Sequence, residues 1–145
     1  RLDGRALCDT LYMTWDQARE LHRRGHEIGA HTESHAILSR CSADEQRQEI
    51  EGSRAAIHRE LGAAPASFAY PFGREWDWND SAARAVTTAA YTSSTTTHPG
   101  TNRPGCDMVR LKRVMIDEDV RLDLLVAEAC GGFDLLRKLG FQPPA

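Results

Sequence analysis

The sequence has little of several features that mark common protein classes. It contains no run of about eighteen apolar residues, the shortest stretch that crosses a bilayer as a helix, so no membrane span is predicted. Its four cysteines form no Cys-x-x-Cys pair, which argues against a zinc ribbon or a thioredoxin-type redox motif. Lysine is also nearly absent, since Lys112 and Lys138 are the only two among 18 basic residues.

The charge balance excludes a further class. With 18 basic and 21 acidic residues the formal net charge is −3, and the arginines are scattered rather than clustered. A nucleic-acid-binding domain needs a basic surface to displace counterions from phosphates, so nucleic acid is not a predicted partner. The 145 residues are enough for one compact domain with a buried core, and we interpret 1–145 as a single domain.

Alternating helix and strand signals predict an α/β fold with mainly parallel strands. Thr14 and Gln17 have the spacing of a capping box, and Gly25 is placed to end the helix that they begin. A second helix is predicted with Ser42 or Asp44 as its cap, and a third is predicted to begin near Asn79 or Asp80. Strands are predicted at 26–31, 67–70, 91–97 and 109–116, and a closing amphipathic stretch at 122–139 is interrupted by Gly131 and Gly132.

Three candidate site segments follow predicted strands. They are the string 31–35, the turn 70–73 and the turn-rich loop 98–105. Ligands of parallel α/β folds gather at the carboxyl ends of the strands, so we expect these segments to lie on one face.

His31 and His35 are candidate metal ligands. Residues at i and i+4 project from the same face of a helical or turn-like backbone, and neutral imidazole is a favoured zinc ligand. A catalytic zinc needs three protein ligands and a water, so the pair requires a third ligand. Thr32 stands where a zincin helix has glutamate, which argues against a protease of that type. On the residues alone, a metal site and an ordinary hydrogen-bonded histidine pair are equally good interpretations.

A family resemblance supports the first interpretation. The segment 26–35 resembles the His-Ser/Thr-x-x-His metal motif of the polysaccharide deacetylase family (the NodB-homology domain, carbohydrate esterase family 4). Phe-Ala-Tyr-Pro-Phe-Gly at 68–73 resembles the family's next motif, and 111–114 resembles a common late strand. The resemblance implies a distorted (β/α) barrel and a metal-dependent hydrolase that removes acetyl groups from a carbohydrate at amide or ester bonds, with Zn²⁺ as the expected divalent metal.

The resemblance also implies roles for individual residues. His31 and His35 become the metal ligands, and the backbone N–H of Phe72 becomes the oxyanion donor. Phe72 is suited to this because Pro71 before it cannot donate and Gly73 after it allows a close approach. A simple strand-to-helix corner is the structural alternative for this turn.

The remaining site candidates are less specific. His98 is a substitute candidate for the catalytic acid, although a loop histidine beside Pro99 is an equally good interpretation. Tyr70, Trp76 and Trp78 are candidate sugar contacts. The two tryptophans could equally cap the hydrophobic end of the barrel.

The sequence departs from the family pattern in three respects. The Thr-Phe-Asp-Asp motif that supplies the catalytic base and the third metal ligand is absent, and no Asp-Asp pair occurs. Ala69 stands where many members have an arginine, and no late Leu-x-His motif is present.

We therefore expect an incomplete barrel that is truncated at its N-terminus and lacks two strand units. The alternative function is a catalytically incomplete carbohydrate- or metal-binding remnant of the same fold. An open barrel would also expose sheet edges that can pair with a second copy of the chain, so a homo-oligomer is considered as well.

Overall fold

The computed structural model describes residues 10–116 and 121–141. Within these ranges helices and strands alternate along the chain. The helices are α1 (Trp15–Arg23), α2 (Ala43–Leu61), α3 (Asp80–Thr88), α4 (Leu122–Ala129) and α5 (Gly132–Lys138), with a short 3-10 helix at Leu38–Arg40. The strands are β1 (Ser67–Ala69), β2 (Ser93–Pro99) and β3 (Leu111–Arg113). No helix in the described ranges is long and apolar enough to cross a membrane.

The strands form a parallel sheet in the order β1-β2-β3. Parallel neighbours need a crossover connection, which α3 provides between β1 and β2. Residues 100–110 make the connection between β2 and β3. Over the described residues the sheet has three strands and stays open. The predicted α/β class with parallel strands, as part of a barrel that is not closed, is confirmed.

The strand boundaries differ from the prediction at three places. Residues 26–31 form no strand, and only Ala30 makes a single parallel bridge, to Phe68. β2 continues to Pro99, so His98 lies in a strand rather than in a loop. The last strand is limited to Leu111–Arg113. The side-chain pattern predicts which residues favour a strand. The observed boundaries are set by how far the backbone hydrogen bonds to the neighbouring strand extend.

The helix boundaries agree with the capping signals. Thr14 and Gln17 form the predicted capping box of α1, and Ser42 forms one with Glu45 at the start of α2. Asn79 caps α3 by accepting a hydrogen bond from the N–H of Ala82 at 3.0 Å. The closing stretch is divided into α4 and α5 where Gly131 adopts a left-handed φ of 75°.

The core lies between α2, α3 and the sheet. Its buried members are Ala30, Leu38, Ile50, Ile57, Phe68, Tyr70, Ala82, Val86 and Tyr91. Phe68 is at its centre, with ring centroids 5.3 Å from both Tyr70 and Tyr91. The Tyr91 hydroxyl donates to the carbonyl of Ile50 at 3.1 Å, which ties the end of the α3 crossover to α2.

A buried glutamine holds the segment that follows the histidine pair. Gln46 is 1% exposed, and its Nε2 lies 2.7 Å from the carbonyl oxygen of Leu38 and 3.2 Å from that of Cys41. The Asn79 side-chain oxygen lies 3.3 Å from the same nitrogen. Because a buried amide N–H is costly to leave unpaired, the contacts of Nε2 fix the 3-10 segment against α2.

We expect Ile50→Ala to lower the free energy of unfolding by about 2–5 kcal/mol, because it leaves a cavity beneath α2. Ile50 is 0% exposed in the core. Urea unfolding followed by circular dichroism measures the change. Gln48→Ala, on the exposed side of the same helix, is the matched control and should change stability by no more than about 0.5 kcal/mol. Equal effects of the two substitutions would contradict the described packing of α2.

Candidate active site

His31 and His35 lie side by side on the exposed loop that follows Ala30. Their ring centroids are 4.9 Å apart and the rings are inclined at 70°. The loop is not helical, because Thr32 and His35 have φ values of 63° and 59°. The two rings therefore meet through left-handed backbone positions, and not through the i, i+4 geometry of a helical turn.

A hydrogen bond fixes the tautomer of His31. Its Nδ1 lies 2.8 Å from the carbonyl oxygen of Ala69, at the end of β1. A carbonyl oxygen only accepts, so Nδ1 carries the proton and the lone pair of the neutral ring is on Nε2. Metal-binding histidines commonly donate their second ring nitrogen to a backbone carbonyl in this way.

The Phe72 turn lies directly beside the histidine pair. The Phe72 and His35 ring centroids are 5.0 Å apart. The N–H of Gly73 donates to the carbonyl of Pro71 at 2.6 Å, and Phe72 between them has a φ of 61°, as in a classic γ-turn. Among the described residues the N–H of Phe72 has no hydrogen-bond partner. The turn therefore presents a backbone donor that the fold itself does not use.

β2 holds this turn in place. The N–H of Thr97 donates to the carbonyl of Gly73 and its hydroxyl donates to the carbonyl of Phe72, both at 2.9 Å. Gly73 is required here, because a Cβ at this position would lie 2.7 Å from the backbone nitrogen of Thr97. The close approach predicted at Gly73 is therefore an approach of its backbone to β2.

Backbone strain concentrates at this place. The described non-glycine residues with a positive φ are Thr32, His35, Phe72 and Ala90. Each such residue costs free energy that the surrounding structure must supply, and strained residues cluster at functional sites. Three of these four belong to the histidine loop or to the adjoining turn.

Glu49 of α2 supports the histidine loop, and the sequence analysis did not identify it. Its Oε2 accepts hydrogen bonds from the backbone N–H groups of Glu33 and Ser34, both at 2.9 Å. Its Oε1 accepts from the Ser34 hydroxyl at 2.5 Å. No pattern in the sequence signals this contact, because it joins a helix to a loop fifteen residues earlier.

These contacts set the charge state of Glu49. Desolvation by burial acts to raise its pKa, and the hydrogen bonds from Ser34 and Glu33 together outweigh it, so the pKa of Glu49 lies below its ordinary value. The carboxylate is therefore ionised at neutral pH and bound to the loop.

The residues fit two positions of a zinc site. His31 offers Nε2 as a ligand atom and His35 adjoins it. Thr32 adds a buried hydroxyl oxygen without a hydrogen-bond partner in the described chain. Of the two glutamates that contact or belong to this loop, Glu49 binds its backbone and the Glu33 carboxylate lies over Gly52 of α2. Within residues 10–116 and 121–141, no group of three or more His, Cys, Asp or Glu side chains could hold a metal ion.

The three candidate sugar contacts differ in exposure. Tyr70 is 1% exposed, and its hydroxyl donates to the carbonyl of Val109 at 3.1 Å. Its ring is inaccessible to a sugar, and we correct the prediction to a core position. Trp78 is half-buried and stacks on Tyr70 with centroids 4.8 Å apart. Trp76 is 69% exposed, with the Arg74 guanidinium 5.8 Å from its ring centroid.

His98 lies at the carboxyl end of β2, near the end of the sheet that carries the other candidates. Its side chain is exposed and lines a cavity between β2, β3 and α5. His31, His35 and Phe72 are not among the residues that line this cavity. The structure therefore brings the two histidines and Phe72 together, and places His98 in separate surroundings.

Comparison with known proteins gives a family match. The family model described as polysaccharide deacetylase matches residues 6–94, a range that includes the histidine loop and the Phe72 turn. The curated protein "Putative polysaccharide deacetylase YxkH" of Bacillus subtilis (strain 168) is 25% identical over 113 residues. The match covers 78% of this chain and 39% of that protein, so the chain spans well under half of that relative.

Solved structures of similar proteins share the fold. The Streptococcus pyogenes deacetylase PplD, solved in complex with acetate, superposes with a TM-score of 0.73 at 25% identity, over 80% of this chain and 50% of PplD. BC0361, a polysaccharide deacetylase from Bacillus cereus, gives a TM-score of 0.68 at 22% identity, over 80% of this chain and 36% of that one.

We expect Glu49→Ala to speed amide hydrogen exchange of Glu33 and Ser34 by about tenfold or more, because a hydrogen bond to a charged group contributes about 1.5–3 kcal/mol. Glu49→Gln retains one oxygen for the two N–H groups and should show a smaller increase. Exchange measured by NMR tests this, with the exposed Glu51→Ala as the control. Unchanged exchange in Glu49→Ala would contradict the supporting role.

The lowered pKa of Glu49 predicts a pH dependence. A carboxyl group with a depressed folded-state pKa stabilises the protein above its unfolded pKa of about 4.3, and this contribution is lost as the pH falls through the folded value. Wild type should thus exceed Glu49→Gln in unfolding free energy at pH 7, and the difference should narrow below about pH 4. Urea titrations at several pH values measure it, and a constant difference would contradict the assignment.

Proposed function

Because the chain belongs to the polysaccharide deacetylase family, we propose that it contributes to a metal-dependent hydrolase that removes acetyl groups from a carbohydrate. One observation carries the proposal. His31, His35 and the unused N–H of Phe72 converge at the end of the sheet where parallel α/β folds bind their ligands. The chain covers only part of its relatives, so the activity is proposed for the protein to which this domain portion belongs.

His31 and His35 would hold a divalent metal ion, and zinc suits a pair of imidazoles. His31 is prepared for this by its hydrogen bond to Ala69, which directs Nε2 outward as the ligand atom. When bound, such an ion supplies Lewis-acid polarisation of the acetyl carbonyl and activates water at neutral pH. Glu49 keeps the loop in the conformation that places the two rings together.

The N–H of Phe72 would stabilise the negative charge that develops on the acetyl oxygen. A donor that is already fixed when the reaction begins needs no reorganisation, and this preorganisation is a large part of catalysis at acyl groups. The γ-turn and its two hydrogen bonds to Thr97 supply that fixed geometry. The Phe72 ring beside His35 would cover one side of the acetyl group.

Proton transfer needs a general base that reaches the attacking water and an acid that protonates the leaving group. The Glu49 carboxylate is bound to the histidine loop, and the Glu33 carboxylate lies over Gly52 of α2. His98 stays a prediction for the acid, supported by its position near the same end of the sheet. Of the three candidate sugar contacts, Trp76 is the most exposed, at 69%, and stays the candidate for stacking on a sugar.

The alternative is that this portion of the domain binds a metal or a carbohydrate without turning it over. The observation that favours it is that the described residues offer two candidate metal ligands and no third. Incubating the protein to which this portion belongs with zinc and an acetylated chito-oligosaccharide separates the two functions. Acetate release that depends on His31 supports hydrolysis, whereas saccharide binding without acetate release supports the alternative.

Zinc titration of the chain tests the ligand pair. We expect His31→Ala and His35→Ala each to weaken zinc binding by about tenfold or more, a loss at least as large as that caused by removing a ligand's hydrogen-bond partner. Isothermal titration calorimetry at pH 7.5 measures the affinity. His58→Ala, an exposed histidine in the last turn of α2, is the matched control and should bind zinc as wild type does. Equal zinc affinity in His31→Ala and His58→Ala would contradict the site.

A further inference from the structure

The cavity that His98 lines, between β2, β3 and α5, has a volume of about 480 Å³. Its lining includes His98 and Pro99 at the end of β2 and Asp134 of α5. This volume is within the range of ~300–1,000 Å³ that is usual for small-molecule and cofactor sites. It is also much larger than a single inorganic ion needs.

The lining of this cavity is strongly basic although the chain as a whole is acidic. Its cationic side chains are Arg103, Arg110, Lys112, Arg137 and Lys138. Against these five stand two carboxylates, Asp107 and Asp134. The formal charge of the chain is −3, and both of its lysines line this one cavity.

The two carboxylates are already engaged. Asp107 pairs with Arg110 at 3.2 Å, and Arg110 also pairs with Asp80 at 2.6 Å. Asp134 accepts the hydroxyl hydrogen bond of Thr101 at 2.5 Å and lies 3.4 Å from Arg137. These contacts tie the loop after β2 to α5 and give the cavity fixed walls.

Two of the cations have no carboxylate partner among the described residues. In these ranges Arg103 and Lys138 form no ion pair, whereas Lys112 interacts electrostatically with Asp134 and Arg137 is bound to Glu128 at 2.7 Å. The cations on this concave surface outnumber its carboxylates and repel one another, and an anion among them removes that repulsion. Guanidinium and ammonium groups together are suited to carboxylate and phosphate oxygens.

The cavity adjoins the candidate active site through a single strand. Thr97 binds the Phe72 turn, and the next residue, His98, lines the cavity. A saccharide whose acetyl group lies at His31 and His35 could therefore extend across the end of β2. We propose that the basic cavity binds an anionic substituent, a carboxylate or a phosphate, carried by that saccharide.

This inference rests on the proposed function, since it names the class of carbohydrate that the same site would act on: an acetylated saccharide that is also acidic. A neutral acetylated polymer would leave the excess positive charge of the cavity uncompensated. The charged substituent would then both select the substrate and fix its register on the enzyme.

Binding of matched oligosaccharides to the 145-residue chain tests the proposal. The probes are a tetrasaccharide that alternates N-acetylglucosamine with glucuronate, the neutral N-acetylglucosamine tetramer, and N-acetylglucosamine 1-phosphate. At low ionic strength we expect the glucuronate probe to bind about tenfold more tightly than the neutral one, because its ion pairs are charge-assisted. Tighter binding of the phosphate probe than of the glucuronate probe would identify phosphate as the preferred group.

Variants locate the effect. In Lys112→Gln/Lys138→Gln the preference for the charged probes should disappear, and 0.5 M salt should weaken it in wild type. Arg59→Gln removes one positive charge from the exposed end of α2, away from the cavity, and should leave the preference unchanged. Circular dichroism checks that each variant is folded, and Arg103→Gln provides a further single substitution.

Equal affinity for the charged and neutral tetrasaccharides, with no binding of the phosphate probe, would overturn the proposal, as would an equal loss of the preference in Arg59→Gln. His31→Ala separates this inference from the proposed function. Charge-selective binding that persists in His31→Ala would assign the selectivity to the cavity and not to the histidine pair. A wild-type protein that binds selectively but releases no acetate would count against hydrolysis and leave the cavity assignment intact. Acetate release from neutral and acidic substrates at equal rates would support hydrolysis and count against the proposed role of the cavity.

Discussion

The pairing of Ala30 with β1 determines where the groups of the candidate site lie. The N–H of Ala30 donates to the carbonyl of Ser67 at 3.0 Å, and the N–H of Ala69 donates to the carbonyl of Ala30 at 2.8 Å. These two bonds bring His31 alongside the end of β1, where the Ala69 carbonyl accepts a hydrogen bond from Nδ1 of the imidazole. The residues after Ala69 form the Phe72 turn, so the same short strand places the histidine pair and the turn together.

Much of the fold follows from local signals in the sequence. The capping residues Thr14, Ser42 and Asn79 mark the start of three helices, because their side chains satisfy N–H groups that a helix leaves unpaired. The neighbourhood of the histidine pair and the Phe72 turn is also predictable, since both follow chain segments that pair in parallel. The individual roles of those residues, and the identity of the metal, remain predictions.

Other features depend on contacts between distant parts of the chain and leave no local signal. Glu49 supports the histidine loop from α2, and Tyr70 turns into the core to stack on Trp78, although it directly precedes the exposed Phe72 turn. The strand expected at 26–31 is only a bridge, because a run of suitable residues still needs a partner along its length. The basic cavity likewise gathers Arg103, Lys112 and Lys138 from three separate segments.

The hydrogen bond between His31 and residue 69 has a consequence for variation at that position. The acceptor is the main-chain carbonyl, so the support of His31 is independent of the side chain that residue 69 carries. Alanine can stand here, where many members of the family have arginine, without disturbing the imidazole. The side chain of residue 69 can thus be substituted while the orientation of the His31 ring is kept.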